Sequence, residues 1–414
     1  MTSVHDLAAE DVISALAPAT ERALNALIAA HLGETFPALA ITAVHRGEVI
    51  LNRGWGWIDP VASSGAVGPA TLFDLASVSK LFTTTAFLTQ VSEGRAALDD
   101  PLIAIVPEFG TGGPRALDGG QDPHSKVRLP TPPYAIGQRA DPALVTLRML
   151  LTHTSGLAPW RDVYRAAGPA PRPPGEVDPV PRAERWSRAL RALCAYPFVG
   201  QPGDGIVRYS DLGLMLLGET VARLDASGGL AAAIEARVCA PLGLASITFN
   251  PLQAGRARAI IAPTENDPHW RGRRCWGEVH DENACGVGGV AGHAGLFGVA
   301  RDVAALGQAW LEGDPRLALA PELRAQAVIE QAETDGTRRG LGWMLKAAEN
   351  SSVGERFHPD SFGHFGFTGT SLWVDPARAL VLAALTNRVY PGRDRPGIEA
   401  FRRALHDLLA EEVD

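Results

Sequence analysis

The stretch Leu75-Ala76-Ser77-Val78-Ser79-Lys80-Leu81-Phe82 puts a hydroxyl and an amine three residues apart at the expected start of a helix. Residues at i and i+3 share a helix face, with Cβ atoms roughly 5–6 Å apart, so Ser77 and Lys80 can meet. Serine is a weak nucleophile until a neighbouring base takes its proton, and a partly desolvated lysine can be that base. A helix N-terminus adds free N–H donors and a positive dipole end beside a developing oxyanion. The pair alone is equally compatible with a solvated helix lysine. Lysine usage sharpens the reading: of 38 Lys plus Arg, only Lys80, Lys126 and Lys346 are lysines. Arginine cannot give up its proton in a protein, whereas a buried lysine can.

Outward from this stretch, residues from about Leu7 to Leu32 carry apolar positions at helical spacing, with Gly33 as a stop. Two β-rich runs follow, Ala38–Val44 and Glu48–Trp55, joined at His45-Arg46-Gly47 by an expected hairpin turn. The helix beginning near Ser77 is expected to end around Gly94, with a short helical piece after Leu98-Asp99-Asp100-Pro101. Gly110–Asp141 and Gly168–Pro181 are Gly- and Pro-rich and read as surface loops. Helical patterns occupy Ala183–Ala195, Leu212–Leu224, Leu230–Val238 and Ala300–Glu312. Gly340–Lys346, Thr370–Val374 and Leu380–Leu385 read as strands, and Gly397–Leu409 as a closing helix. Strands near both ends around a helical middle imply an α+β domain, an antiparallel sheet built from both termini with a mainly helical part inserted.

The chain of 414 residues is 46% hydrophobic and 20% charged, with a net charge of −8, an ordinary globular composition. A pI near 5.8 argues against nucleic acid as a partner. No secretory signal and no run of 18 or more apolar residues is visible, which predicts no membrane partner and a cytoplasmic location. Cys194, Cys239, Cys275 and Cys285 follow no disulfide framework and are expected to be reduced thiols.

Three further stretches follow in order: Leu150-Leu-Thr-His-Thr-Ser-Gly-Leu157, Tyr209-Ser-Asp211, and Gly363-His-Phe-Gly-Phe-Thr-Gly-Thr370. Together with Ser77-Val-Ser-Lys80 and Leu98-Asp-Asp-Pro101, they resemble the active-site boxes of the serine β-lactamase and penicillin-binding protein superfamily. The resemblance is to its class C-like branch, including family VIII-type esterases, and runs from about residue 35 to the C-terminus. It implies one β-lactamase/transpeptidase-like domain over 1–414. An α/β part (about 1–75 and 300–414) and a helical part (about 76–299) would then meet at the active site.

By that resemblance Ser77 is the acylated nucleophile, Lys80 its proton partner and Tyr209 a second acid/base. A phenol titrates near 10 and needs neighbouring cations for that work. Tyr209 alone also fits an amphipathic core residue. His364 takes the place of the family's third-box lysine. The N–H groups of Ser77 and Phe367 would form the oxyanion hole, and Gly366 would let substrate approach the strand edge.

Two departures weaken a β-lactam reading. His364 is only partly charged near neutrality, and Phe365 lacks the hydroxyl that helps bind a carboxylate. Asp211 replaces an asparagine, and an ionised carboxylate cannot donate a hydrogen bond to an acyl carbonyl. Asp211 can instead hold Lys80 protonated, receive a cationic or hydroxylated substrate, or cap the helix that follows.

His280-Asp281-Glu282-Asn283-Ala284 resembles a loop of relatives that act on muropeptides. His280, Asn283 and His293 are therefore candidate substrate contacts, or simply loop bridges. Cys275, His280, Cys285 and His293 match no standard zinc spacing, and neither metal nor cofactor is expected. These residues point to a serine hydrolase acting through acyl-Ser77 on a small ester or amide. A muropeptide amidase, a D-Ala carboxypeptidase, a weak β-lactamase and a catalytically silent binder are the alternatives. The oligomeric state is open.

Overall fold

A computed structural model describes residues 11–414. Its centre is a ten-stranded antiparallel sheet drawn from both ends of the chain. From one edge the strands run Ile13–Ser14, Glu48–Asp59, Ala38–His45, Leu380–Thr386, Ser371–Asp375, Phe362–Phe365, Met344–Leu345, Thr337–Arg339 and Ala332–Thr334. Ser64–Ala66 pairs off this path with Glu48–Asp59. The N- and C-terminal contributions join where Leu380–Thr386 lies antiparallel to Ala38–His45, Leu380 facing His45 and Thr386 facing Leu39. Arg46 and Gly47 both have positive φ (51° and 81°), so His45 and Glu48 are linked by the tight two-residue turn that suits strand twist.

Side-chain alternation along these strands divides the core between the two faces of the sheet. Leu39, Ile41, Leu382 and Trp373 pack with Leu24, Ile28, Phe401 and Leu405 of the helices Pro18–His31 and Ile398–Glu412. Val381, Leu372 and Phe362 face the other way, onto Leu306 and Trp310 of Ala300–Glu312 and the helical middle of the chain. Each fully buried Leu or Phe contributes about 1.5–3 kcal/mol. The helix Ser79–Ser92 is enclosed almost all round, with Lys80, Leu81, Phe82 and Thr83 through Gln90 buried. No described helix is long and apolar enough to cross a membrane.

Several elements differ from the sequence expectation. The first helix is Pro18–His31 rather than one running back to Leu7, which lies outside the described residues. Pro18 has no N–H and a fixed φ, so the helix opens there, and Ile13–Ser14 pairs with Leu51 and Asn52 instead. Leu230–Val238 is helical only to Ile234 and continues as a π turn, Glu235–Cys239. Gly340–Lys346 is not one strand: Thr337–Arg339 and Met344–Leu345 flank a turn at Gly342 (φ 76°). The strand Phe362–Phe365 is short and mixes Gly with aromatics, so its pattern is weak in sequence.

The Gly-rich run at 286–298 has a structural cause. A Cβ on Gly292 would lie 2.1 Å from Leu214 O, and one on Gly218 would lie 2.8 Å from Gly292 Cα. Only glycines let this segment pass against the helix Asp211–Leu224. Its end, Leu296–Gly298, then pairs with both Phe73–Asp74 and Thr248–Phe249.

Candidate active site

Ser77 lies in a single 3-10 turn, Ala76–Val78, that leads into the helix Ser79–Ser92. The residue before it, Ala76, has φ 45°, a left-handed conformation that costs a non-glycine residue about 1–3 kcal/mol unless its surroundings enforce it. The enforcing contacts are visible. Asp74 Oδ1 accepts the Ala76 N–H (2.8 Å), and its Oδ2 accepts the His280 N–H (2.6 Å). The Thr368 hydroxyl donates to Asp74 O and that of Thr370 to Leu75 O, at 2.8 and 2.9 Å. Leu75 N–H donates to Leu296 O (2.9 Å). Three distant segments therefore converge to hold the turn that presents Ser77.

Lys80 is buried, 1% exposed. Its Nζ donates to Ser77 Oγ (2.7 Å) and His293 O (3.1 Å) and pairs with Asp211 Oδ1 (2.8 Å). Two accepting oxygens and a carboxylate at ion-pair distance surround this nitrogen, a setting that suits an ammonium. Burial disfavours that charge, but Asp211 and the Tyr209 phenol outweigh it, so Lys80 titrates above its ordinary value. The raised value favours the protonated amine in the resting structure, in keeping with the expectation that Asp211 can hold Lys80 protonated. Of the roles left open for Asp211, the structure shows pairing with Lys80. The helix cap is its neighbour Ser210, whose Oγ accepts the Gly213 N–H.

Tyr209 stands over this group, with Lys80 Nζ 4.8 Å from its ring centroid and Arg339 Cζ at 5.1 Å. His153 packs on Tyr209 at 4.7 Å between centroids, and its Nδ1 accepts the Ser210 N–H (3.0 Å). Accepting at Nδ1 requires neutral imidazole, and burial followed by Arg339 and Lys80 pushes His153 well below its usual range. His153 and Arg339 are site residues that the sequence reading did not single out. His153 sat in a recognised box without a role, and Arg339 lies on a strand with no distinguishing pattern.

His364 is also buried, with its ring 5.9 Å from that of Tyr209 and Nδ1 2.8 Å from Phe365 O. Burial, then Lys80 and Arg339, hold it well below its ordinary titration range, so it is neutral rather than partly charged. Phe365 points through the sheet to the opposite face, against Trp373 (5.2 Å) and the Arg402 guanidinium (4.3 Å). The expectation that it removes a carboxylate-binding hydroxyl is therefore corrected. Alternation along a strand sends neighbours to opposite faces, and Phe365 never meets the cavity.

Gly366 has a steric requirement of its own beside the expected approach of substrate. A Cβ there would fall 2.0 Å from Thr370 Oγ1 and 2.7 Å from Leu75 O, so the close neighbour is the nucleophile turn itself. Gly366→Ala is expected to destabilise the chain by about 1–3 kcal/mol and to slow labelling of Ser77 by a fluorophosphonate. A melting curve and a labelling rate equal to wild type would refute this.

A cavity of about 200 Å³ opens at Ser77, with Tyr209, Asp211, Trp160, His280, His293 and Phe367 in its walls. Asn283 is not among the lining residues. Its buried amide accepts the Tyr164 N–H and donates to Arg161 O at 2.9 Å each, which makes it a loop bridge. Asp281 accepts the Ala284 N–H and lies 2.8 Å from His293 Nε2. The His280 ring stacks on Phe367 at 5.6 Å, and burial lowers its pKa to about 4.

Pro123, His124 and Lys126 of the 110–141 loop also line the cavity. The loop is tied down by Lys126, whose Nζ lies 3.1 Å from Glu282 Oε1 and 4.1 Å from the Trp160 centroid. The 168–181 loop contributes nothing to this cavity. Among the described residues the four cysteines are free and buried, and Cys275, His280, Cys285 and His293 form no shared ligand set. Among the described residues the one cluster of ligand type is Asp211, Asp281 and His293, and Lys80 already sits against Asp211.

Asp74 carries a pH dependence. Burial pushes its carboxyl up to about 6, against the N–H groups of His280 and Ala76 that favour the charged form. The folded value lies above the ordinary 3.8, so ionised Asp74 penalises the fold; the penalty is absent at low pH and complete above about 6. Asp74→Asn removes this dependence. The melting temperature of wild type relative to the variant is expected to fall between pH 4 and 7, and a constant difference across that window would refute the assignment.

The model of one family, Beta-lactamase, matches residues 24–407. The chain belongs to the Beta-lactamase family. Members are serine hydrolases, and the chain is a serine hydrolase of the β-lactamase and penicillin-binding protein superfamily. Curated relatives in Escherichia coli K12 and Salmonella agona are 28% and 27% identical over 85% of this chain and 79% of theirs. Both carry the provisional name D-alanyl-D-alanine carboxypeptidase. Unliganded simvastatin synthase (LovD) from Aspergillus terreus superposes with TM-score 0.67 at 22% identity, over 96% of this chain and 99% of that one. The hydrolase EstCE1, described as having promiscuous acyltransferase activity, gives TM-score 0.67 at 21% identity, over 94% and 98%. These likenesses show a β-lactamase/transpeptidase-like fold.

Proposed function

We propose that Ser77 attacks the carbonyl of a small, uncharged ester-type substrate and forms an acyl-enzyme that water then hydrolyses. The observation that carries this reading is the 2.7 Å contact between Ser77 Oγ and a buried Lys80 ammonium at the mouth of the cavity. Once the coupled Lys80–Tyr209 pair has released one proton to solvent, it takes the proton of Ser77 Oγ as that oxygen bonds to the carbonyl carbon. The pair returns a proton to the departing alkoxide. Water attacks the acyl carbon in the second half-reaction, loses its proton to the same pair, and Ser77 leaves protonated. The developing oxyanion is received by the N–H groups of Ser77 and Phe367. Asp211 keeps charge on Lys80, and neutral His153 and His364 fix the Tyr209 ring without adding cations.

The choice of an uncharged substrate follows from the cations. His364 is neutral, and the two other cationic side chains in the cavity wall are already paired: Lys126 with Glu282, and Arg393 with Glu282 and Glu265. Among the described wall residues neither Lys126 nor Arg393 is free for a substrate carboxylate. Arg339, which has no carboxylate partner, is buried over the Tyr209 ring and is not one of the wall residues. Trp160, Phe367, Pro123 and Pro159 supply apolar wall. A D-Ala carboxypeptidase is the second reading, favoured by the names of the curated relatives.

One panel separates the two. Turnover of short-chain p-nitrophenyl esters, a chromogenic cephalosporin and a muramoyl-peptide ending in D-Ala-D-Ala is measured for wild type and Ser77→Ala. Ester turnover that is lost in Ser77→Ala supports the proposal. Faster turnover of the peptide replaces it with the second reading, and absence of both turnover and fluorophosphonate labelling defeats both.

A further inference from the structure

A groove of about 780 Å³ shares no lining residue with the Ser77 cavity. Leu190, Ala195 and Pro197 give it apolar lining, and its cations are Arg115, Arg139 and Arg191. Arg115 is 8% exposed and lies between the rings of Phe109 and Phe198, at 4.2 and 4.4 Å. Its Nη1 donates to Leu193 O and Tyr196 O, while Nε and Nη2 have no partner. Burial without a counter-charge brings its guanidinium down to about 10. Arg139 and Arg191 are exposed at the rim.

Among the described residues none of these three arginines pairs with a carboxylate, in a chain of net charge −8. The carboxylate in the groove, Glu108, is occupied by both terminal nitrogens of Arg223, at 2.9 and 3.0 Å. Unpaired buried cations are costly, and guanidinium forks match carboxylate and phosphate oxygens. The geometry points to a binding site for a small amphiphilic oxyanion, a phosphate or carboxylate on a compact apolar body. Its charge meets Arg139 and Arg191 in the field of Arg115, and its body covers Leu190, Ala195 and Pro197. The site lies at the neck of the 110–141 loop, where Arg115 faces Ala140 and Ala116 faces Arg139 in a short antiparallel ladder. The inference is independent of what Ser77 attacks.

Calorimetric titration of the full chain with phenyl phosphate, benzoate and inorganic phosphate tests it. Phenyl phosphate or benzoate is expected to bind saturably and more tightly than inorganic phosphate. The doubly substituted Arg139→Ala, Arg191→Ala chain should bind about tenfold or more weakly, with an unchanged melting curve and unchanged fluorophosphonate labelling of Ser77. Wild type already labelled at Ser77 should bind as before. Absence of saturable binding, equal affinity in the double variant, or loss of binding on Ser77 labelling would each overturn the proposal. So would a change of oligomeric state in the double variant without anion binding by wild type, which would make the groove a contact between copies.

Discussion

Lys80→Arg extinguishes acylation of Ser77 although it keeps the positive charge. A guanidinium cannot give up or take back a proton in a protein, and the cycle needs a group that does both. Removing a positioned proton-transfer group costs about 10²–10⁴-fold in rate. The larger fork must also enter a space where Lys80 is 1% exposed and already met by Ser77, Asp211 and His293 O. We expect fluorophosphonate labelling and ester turnover to fall on the order of 10³-fold or more, with thermal melting reporting how much of the loss is misfolding. A folded variant that keeps activity to within about tenfold would remove Lys80 from the proton path.

Asp211→Asn moves the pH profile of acylation downward. Burial by itself pushes Lys80 toward the neutral amine, and Asp211 is the first of the groups that reverse it. Without that carboxylate, burial gains weight and Lys80 titrates lower, so the limb governed by Lys80 appears at lower pH. Stability changes with a definite sign. A lysine whose folded value is raised stabilises the fold fully below its ordinary 10.5 and loses that contribution as pH rises through the folded value. The variant is therefore less stable throughout the neutral range, by about 2 kcal/mol. A pH–rate profile that does not move, or moves upward, would contradict the assignment of Asp211 as the group that holds the Lys80 proton.

Much of the fold is legible along the chain because its signals are local. The alternation in Ala38–His45 and Leu380–Thr386, the turn at Arg46-Gly47 and the helix Ala300–Glu312 follow from periodicity and turn chemistry. The errors fall where a non-local partner or a single breaker decides. Pro18 starts the first helix later than the apolar spacing suggests, and Ile13–Ser14 becomes a strand only because Asn52 and Leu51 are there to pair with it. Phe365 and Gly366 were read from box chemistry, but their roles depend on facing Arg402 and the nucleophile turn.

Sequence by itself determined the order Ser77, Lys80, Tyr209, His364, the α+β plan and the pairing of strands from the two termini. Each of these rests on residue type, spacing and period. Tertiary structure alone decided the raised titration of Lys80, the neutrality of His153 and His364, and the anchoring of the 110–141 loop at the cavity by Lys126 and Glu282. Charge state depends on burial and on neighbours brought together from more than a hundred residues away, such as Asp211 and His293 against Lys80. Linear spacing carries no information about those distances.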